Sequence, residues 1–359
     1  MKFVLSLILS PFLFPQTRLR TSTVISVILL FCGLQLCGQH AASGAEAAAK
    51  AGAFTTFDGP GSINTGPESI NPAGAITGLY VDASGMAHGF LRAPDGSFTT
   101  FDPPGSVLTT ADSINSAGAI TGVYEDASFV IHGYLRASDG TITTFDPPGS
   151  QDTFGPQLIN PAGAITGPYF DASGAVHGFL RSPGGSFTSF DPPGSIFTSP
   201  SAINPAGAIT GTYEDARFVD HGFLRAPDGT LTTFDPEGSV FTRANGINPA
   251  GAITGTYEDA SGTHGFLRAR DGTFTSFDHP GPAFFSVDGI NPAGAITGSY
   301  YDASGAIHGF LRAPDGSFTS FDPPGALGTF TSAINPAGAI IGSYLDISGT
   351  HGFLRTSDH

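Results

Sequence analysis

Residues 70–102 read INPAGAITGLYVDASGMAHGFLRAPDGSFTTFD, and close copies of this unit recur along the chain. The pair Phe-Asp ends each copy, at spacings of 43 to 45 residues. Its seven phenylalanines are Phe57, Phe101, Phe145, Phe190, Phe234, Phe277 and Phe321. The pairs Ile-Asn and His-Gly recur seven times in step with it. Because a fixed period of this kind marks a repeat architecture, the sequence predicts seven copies of one structural unit.

One unit contains four short strand patterns separated by turn signals. The predicted strands span 69–71, 75–82, 87–93 and 97–102. Pro72 and Gly74 predict a tight turn after the first strand, and Asp95-Gly96 is a strong two-residue hairpin signal before the last. Beyond residue 45, no stretch shows helical periodicity over ten or more residues. A four-stranded unit of about 44 residues has the size of a propeller blade, so we predict an all-β, seven-bladed β-propeller.

The two ends of the repeat array hold complementary half-units. Residues 53–58 carry the fourth-strand pattern with no His-Gly strand before it, and residues 351–355 carry the third-strand pattern with no Phe-Asp strand after it. We therefore predict that strand 53–58 pairs with the C-terminal blade and closes the ring, which removes the open edges of the array. An open β-solenoid is the alternative, but it does not explain the complementary half-units.

Residues 1–45 have the features of an export signal, ahead of a single domain at 46–359. The segment carries three basic residues and no acidic one, then an apolar run over 24–31 and small residues over 41–45. The apolar run is short for a membrane span, which needs about 20 residues. An uncleaved anchor is the alternative, and lipidation of Cys37 is disfavoured because Leu36 precedes it. We expect a secreted, periplasmic or cell-surface protein with no membrane span after signal removal.

Composition narrows the function classes. Both cysteines, Cys32 and Cys37, lie in the export segment, so the remaining chain has no disulfide or thiolate metal site. Removal of residues 1–45 leaves 11 basic and 30 acidic residues, a net charge of −19. Such a surface repels phosphates, which excludes nucleic acid as a partner. We expect a soluble monomer.

The repeated unit resembles the extracellular HAF-repeat family of bacterial proteins. The resemblance rests on Ile-Asn-Pro-Ala-Gly-Ala-Ile-Thr-Gly, Tyr-x-Asp and His-Gly-Phe-Leu, and it covers residues 53–359. The family is named for a His-Ala-Phe triplet, which here reads His-Gly-Phe, or His-Gly-Tyr at His132. The resemblance implies export and a propeller-like structure, and it implies no reaction or catalytic residue.

Three repeated polar residues are candidates for structural or metal-binding roles. Each His of the His88 series follows an Asp of the Asp82 series by five or six residues, which predicts a hydrogen bond across a turn. We predict no cofactor, with Ca²⁺ binding by the Tyr-x-Asp carboxylates as the alternative. That site would recruit Glu125, Glu214 and Glu258. Arg92 and its equivalents are predicted to pair with Asp102 and its equivalents.

Two segments differ between repeats, and they predict the binding surface. One follows Phe-Asp-Pro-Pro-Gly-Ser and the other lies between the Asp and the His. In a four-stranded meander both segments project from the same face, so one face is uniform and the other is diversified, as in ligand-binding loops on a rigid scaffold. Relaxed drift of surface loops is the alternative. The candidate ligand-binding residues are Phe129, Phe154, Phe197, Phe218, Phe241, Phe284 and Phe285.

The predicted function is a binding or interaction module for an extracellular or envelope polymer or protein. The sequence contains no Gly-x-Ser-x-Gly, His-Glu-x-x-His or phosphate-binding glycine loop, so no catalytic residue is assigned. A polysaccharide-directed hydrolase or lyase with carboxylates at the channel mouth is one alternative. A purely structural surface protein is the other. Perturbed carboxylates in a central pocket favour the enzyme, and an apolar rim favours the binding module.

Overall fold

A computed structural model describes residues 52–279 and 286–356, and these residues form β-strands and turns with no helix. The export segment predicted for residues 1–45 lies outside the described residues. Within the described ranges, no helix has the length and apolar character that crossing a membrane requires. The described chain is therefore all-β, as the sequence predicts.

Each repeat folds as an antiparallel meander of four strands. The first strands, two of them split, are β2 (Ser62–Ile70), β6 and β7 (Ser106–Thr109, Ser113–Ile114), β11 and β12 (Ser150–Asp152, Leu158–Ile159), β16 (Ser195–Ile203), β20 (Phe241–Ile247), β24 (Gly289–Ile290) and β28 (Gly328–Ile334). The second strands are β3 (Ile76–Asp82), β8 (Ile120–Asp126), β13 (Ile165–Asp171), β17 (Ile209–Asp215), β21 (Ile253–Asp259), β25 (Ile296–Tyr301) and β29 (Ile340–Leu345).

The outer half of each meander is shorter and more uniform. The third strands are β4 (Ala87–Arg92), β9 (Ile131–Arg136), β14 (Val176–Arg181), β18 (Asp220–Arg225), β22 (Gly262–Arg268), β26 (Ile307–Arg312) and β30 (Thr350–Thr356). The fourth strands are β5 (Phe98–Phe101), β10 (Ile142–Phe145), β15 (Phe187–Phe190), β19 (Leu231–Phe234), β23 (Phe274–Phe277) and β27 (Phe318–Phe321). The last repeat takes its fourth strand from the other end of the chain, as β1 (Ala53–Phe57).

The antiparallel pairing of β1 with β30 confirms the predicted pairing of the N-terminal strand with the C-terminal repeat. The two strands run antiparallel, with Ala53 opposite Thr356 and Phe57 opposite Gly352. The Phe54 ring packs against the rings of Phe321 and Phe353, each at 6.1 Å between centroids. The first and last repeats therefore share one sheet.

The first strand is longer than the sequence predicts in several repeats. We predicted a short strand at 69–71, whereas β2 begins at Ser62 and pairs with β3 along its whole length, with Ser62 opposite Asp82. The reason is that the second strand continues to Asp82, and its backbone groups there need a partner strand. Much of the first variable segment is thus strand rather than loop.

The hydrophobic core lies between neighbouring repeats. Phe57, the last residue of the closing strand, clusters with Ile76 and Phe90 of the first complete repeat and with Ile341 of the last. The same arrangement recurs where Phe234 of the fourth repeat clusters with Ile253 and Phe266 of the fifth. Because each repeat buries its apolar face against the next one, no repeat has a complete core of its own.

The arginine series stacks on aromatic rings, and the predicted pairing of Arg92 with Asp102 is wrong. The Arg92 guanidinium lies over the Phe57 ring, 4.8 Å from its centroid, and the other six repeats show the same contact at 4.6 to 5.3 Å. The antiparallel register explains the error, because Arg92 lies opposite Phe98 while Gly89 lies opposite Phe101. Arg92 is therefore at the far end of the hairpin from Asp102, and it joins two repeats by a cation–π contact.

Candidate functional site: one face and the central cavity

The two variable segments lie at the same end of each meander. Ser62 opposes Asp82, and the equivalent pairs Ser106–Asp126 and Ser195–Asp215 repeat this register. The start of the first strand therefore lies beside the turn that joins the second and third strands. We call the surface formed by residues 62–65, residues 82–87 and their equivalents the recognition face. The register confirms that both variable segments belong to one face.

Every large apolar side chain that is exposed in the described part of the chain lies in these two segments. They are Ile63, Met86, Phe129, Ile196, Phe218, Val240, Phe241, Leu327 and Ile347. The turns at the opposite end, which carry Asn-Pro-Ala-Gly and Pro-Asp-Gly, contribute none of them. A one-sided concentration of exposed apolar groups is the pattern of an interaction surface rather than of scattered surface residues.

Two of these side chains are held in a strained backbone conformation. Phe129 and Phe218 have φ angles of 62° and 63°, and they are the only non-glycine residues with positive φ among those described. The other five repeats place glycine at this turn position, for example Gly85 and Gly174. A left-handed conformation costs a bulky residue about 1–2 kcal/mol relative to glycine. The two residues are 57% and 61% exposed, so side-chain packing does not offset the steric cost of the backbone conformation.

The remaining predicted ligand residues are less exposed. Phe241 begins β20 and is 37% exposed, whereas Phe197 lies within β16, half-buried and opposite Glu214. Phe154 is also half-buried, and its ring stacks on Phe170 at 4.2 Å between centroids. Phe284 and Phe285 lie outside the described residues. Phe129 and Phe218 are therefore the most accessible of the five predicted residues that the structure describes.

A histidine bridges two aspartates in every repeat, next to the recognition face. Nδ1 of His88 hydrogen-bonds Asp102 at 2.8 Å, and Nε2 lies 3.5 Å from Asp82. The bond to the fourth-strand aspartate measures 2.7 to 2.9 Å in all seven repeats. Asp82 in turn accepts hydrogen bonds from the backbone N–H groups of Ser84 and Met86. The predicted contact between Asp82 and His88 is confirmed, and sequence reasoning missed the second aspartate.

The charges around His88 favour its protonated form. Burial lowers the pKa of His88, but the hydrogen bonds and charges of Asp102 and Asp82 outweigh burial and the net shift is upward. The pKa of Asp82 falls to about 2, chiefly because Ser84 and the Met86 N–H donate to the carboxylate. The histidine therefore ties the end of the fourth strand to the turn that carries the exposed apolar residue.

A cavity of about 320 Å³ lies where the first strands of all seven repeats meet. In most repeats, the residue two positions before the isoleucine of Ile-Asn forms part of the cavity wall. The residue type at this position differs between repeats. The residues at this position are Glu68, Asp112, Gln157, Ser201, Asn245, Asp288 and Ser332. Three of them are acids that line the cavity, and sequence reasoning did not place them there. The signal that could have found them is this variation inside an otherwise constant motif.

The three cavity acids have strongly raised pKa values. Burial, followed by the charges of Asp112 and Asp288, raises the pKa of Glu68 to about 8. Burial also raises the pKa of Asp112 and of Asp288 to about 7. Asp112 accepts a hydrogen bond from the Gln157 N–H at 2.9 Å, and Asp288 accepts one from the Thr331 hydroxyl. Over residues 52–279 and 286–356, no three His, Asp or Glu side chains form a group able to hold a metal ion.

Comparison with known proteins supports the fold and gives no family. No protein-family model and no curated protein matches the sequence. The structure resembles virginiamycin B lyase from Staphylococcus aureus, at 15% identity over 84% of this chain and 99% of that one, with a TM-score of 0.56. It also resembles the β-propeller domain of the Trilobed protease from Pyrococcus furiosus, at 8% identity over 82% and 96%, with a TM-score of 0.61.

A third similar structure is YCF48 bound to a D1 peptide. The two share 11% identity over 85% of this chain and 97% of that one, with a TM-score of 0.50. At these identities the likeness concerns the fold alone. The chain thus has an all-β repeat fold of the β-propeller type.

Proposed function

We propose that the protein is an exported, seven-bladed β-propeller that binds an extracellular or envelope protein or polymer on its recognition face. Each repeat supplies one blade, and β1 completes the last blade. The HAF-repeat resemblance and residues 1–45 support the export part of this proposal. A ligand held on this face would meet apolar side chains set among carboxylates.

The observation that carries the proposal is the position of all nine exposed large apolar side chains of the described chain on one face. Burial of these side chains by a bound partner would contribute about 25 cal/mol of favourable free energy per Å² of apolar surface removed from water. The strained Phe129 and Phe218 add to the argument, because backbone strain at an exposed residue is commonly kept for function. Among proteins of similar fold, YCF48 is bound to a peptide.

The proposal is tested by returning both strained residues to the glycine of the other repeats. Binding of residues 46–359 to a panel of cell-wall polysaccharides and peptidoglycan is measured for the wild type and for the Phe129→Gly, Phe218→Gly variant. We expect the variant to bind at least tenfold more weakly. A control variant adds Ser138→Phe and Pro227→Phe, which place two aromatic rings on the opposite face of the same repeats. If the control restores binding, or if the glycine variant binds as well as the wild type, the face is not the site.

The cavity carboxylates favour an enzyme as the second candidate. A carboxyl with a pKa near 7 can exchange protons at neutral pH, which suits general acid–base catalysis on a glycosidic linkage. Release of reducing or unsaturated sugars from the same polysaccharides tests this activity. The Asp112→Asn variant should lose the activity if the carboxyl takes part, and absence of product with the wild type removes the enzyme from consideration.

A further inference from the structure

The cavity where the seven first strands meet differs in chemistry from the recognition face. In most repeats its wall contains the isoleucine of Ile-Asn, as at Ile70 and Ile203. It also contains the variable polar residue two positions earlier in the same strand or just before it. The cavity volume of about 320 Å³ falls at the lower end of the range for small-molecule sites. The wall therefore combines an isoleucine shared by six repeats with a polar position that differs between repeats, so its polar groups are unevenly distributed around the cavity.

The acids of the wall face no positive charge. Glu68, Asp112 and Asp288 are the ionisable side chains of the described lining, which includes no arginine, lysine or histidine. Tyr134 lies close to Asp112, but burial raises its pKa well above its usual value, so it stays neutral. When they ionise, three carboxylates around a small cavity create a negative potential that low-dielectric walls concentrate.

The Glu68 carboxylate also lacks a hydrogen-bond partner among the described residues. Its raised pKa follows from burial and from the two neighbouring aspartates, with no hydrogen bond contributing. The side chain is half-buried, and it belongs to the cavity wall. Because part of this carboxylate is accessible from the cavity, a ligand with N–H donors can bind it directly. The other two acids already have donors in Gln157 and Thr331.

We propose that this cavity binds a small organic cation, with its ammonium or guanidinium group at Glu68 and a short aliphatic body against the isoleucines. The N–H groups of the cation supply the donor that Glu68 lacks, and Asp112 and Asp288 add long-range attraction. The hydroxyl and amide groups of Ser201, Ser332 and Asn245 offer further hydrogen bonds along the wall. This site is separate from the recognition face and does not depend on the function proposed for it.

The test uses two probes of equal length, 1,6-diaminohexane and the uncharged 1,6-hexanediol. Isothermal titration of residues 46–359 should show saturable binding of the diamine and at least tenfold weaker binding of the diol. Binding of the diamine should tighten from pH 5.5 to pH 8.5, because the three acids must ionise to receive it while the diamine stays charged throughout. Equal binding of the two probes, or stronger binding of Ca²⁺ than of the diamine, overturns the proposal.

A matched pair of variants separates the cavity from general surface charge. Glu68→Gln with Asp288→Asn removes two cavity carboxyls, and Asp95→Asn with Asp315→Asn removes two exposed ones from the same two repeats. We expect the cavity variant to lose at least tenfold in affinity and the surface variant to keep it. Circular dichroism and melting confirm that both variants fold. Equal losses in the two variants would show that the diamine binds the acidic surface, which contradicts the assignment.

Discussion

The side-chain amide of Asn335 donates a hydrogen bond to the backbone carbonyl of Asn71, 264 positions earlier in the chain, at 3.4 Å. The same bond links Asn71 to Asn115, Asn115 to Asn160, Asn160 to Asn204 and Asn204 to Asn248, each at 3.3 Å. Asparagine thus connects the first five repeats in series, and the contact of Asn335 with Asn71 joins the last repeat to the first. This contact and the β1–β30 pairing both join the two ends of the repeat array.

Replacement of Asn335 by alanine should destabilise the protein by about 2–3 kcal/mol, because three hydrogen bonds of about 1 kcal/mol each are lost. Besides its bond to Asn71, the Asn335 side chain accepts hydrogen bonds from the N–H groups of Ala337 and Ala339, both at 3.0 Å. Urea unfolding measures the change. The control is Pro336→Ala, at an exposed position of the same turn. A loss for Asn335→Ala no larger than the control's would show that the contact between the first and last repeats is dispensable for stability.

Deletion of residues 52–58 should remove the cooperative unfolding transition that the full domain shows at its melting temperature. The deletion exposes one edge of β30 and removes the Phe57 ring, which contacts Phe90 and Arg92 of the first repeat. Differential scanning calorimetry measures the transition, and a synthetic peptide of residues 52–58 should restore part of it when added in trans. A truncated domain that melts as the parent does would contradict closure by β1.

The Phe129→Gly, Phe218→Gly variant should be more stable than the wild type by about 1 kcal/mol per site. Glycine adopts a positive φ without the steric cost that phenylalanine carries, and the exposed rings contribute little packing. Thermal melting at neutral pH measures the gain. Higher stability together with weaker ligand binding would show that both residues serve binding at the expense of stability. A loss of stability would show instead that the two rings stabilise the folded protein by packing.

Stability should fall as the pH rises from about 4.5 to 8, and Glu68→Gln should reduce the fall. The pKa of Glu68 is raised from 4.5 to about 8, so in this window the folded protein holds a proton that the unfolded chain has released. Folding is then favoured at low pH and weakened as Glu68 ionises. We expect the variant to melt higher than the wild type at pH 9 and nearly level with it at pH 4. The control is Glu237→Gln, at an exposed glutamate; it keeps Glu68, so its stability should fall with pH as that of the wild type does.

Much of the fold follows from the sequence because the repeats agree with one another. The turn residues of one unit, the closing strand and the contact between Asp82 and His88 are all confirmed by strand register or hydrogen bonds. The length of β2 was not predicted, since residues 62–68 vary between repeats and show no strand alternation. Their strand conformation comes from pairing with β3, a tertiary effect.

The side-chain partners were harder to predict than the strands. Asp102 lies near both Arg92 and His88 in the sequence pattern, and only the register of β4 with β5 shows that His88 is its neighbour. The cavity acids were missed for a related reason. A single Glu68 or Asp112 beside a short strand has the appearance of an ordinary surface residue until seven first strands are brought together.

The most direct test of the binding account is the melting temperature of residues 46–359 across a panel of cell-wall polysaccharides, peptidoglycan and cell-surface peptides. A ligand at 100 times its Kd should stabilise the folded domain by about 2.7 kcal/mol. We predict a clear upward shift with one ligand class, and its disappearance in the Phe129→Gly, Phe218→Gly variant. A shift that is unchanged in that variant, or no shift with any ligand, would contradict a recognition role for this face.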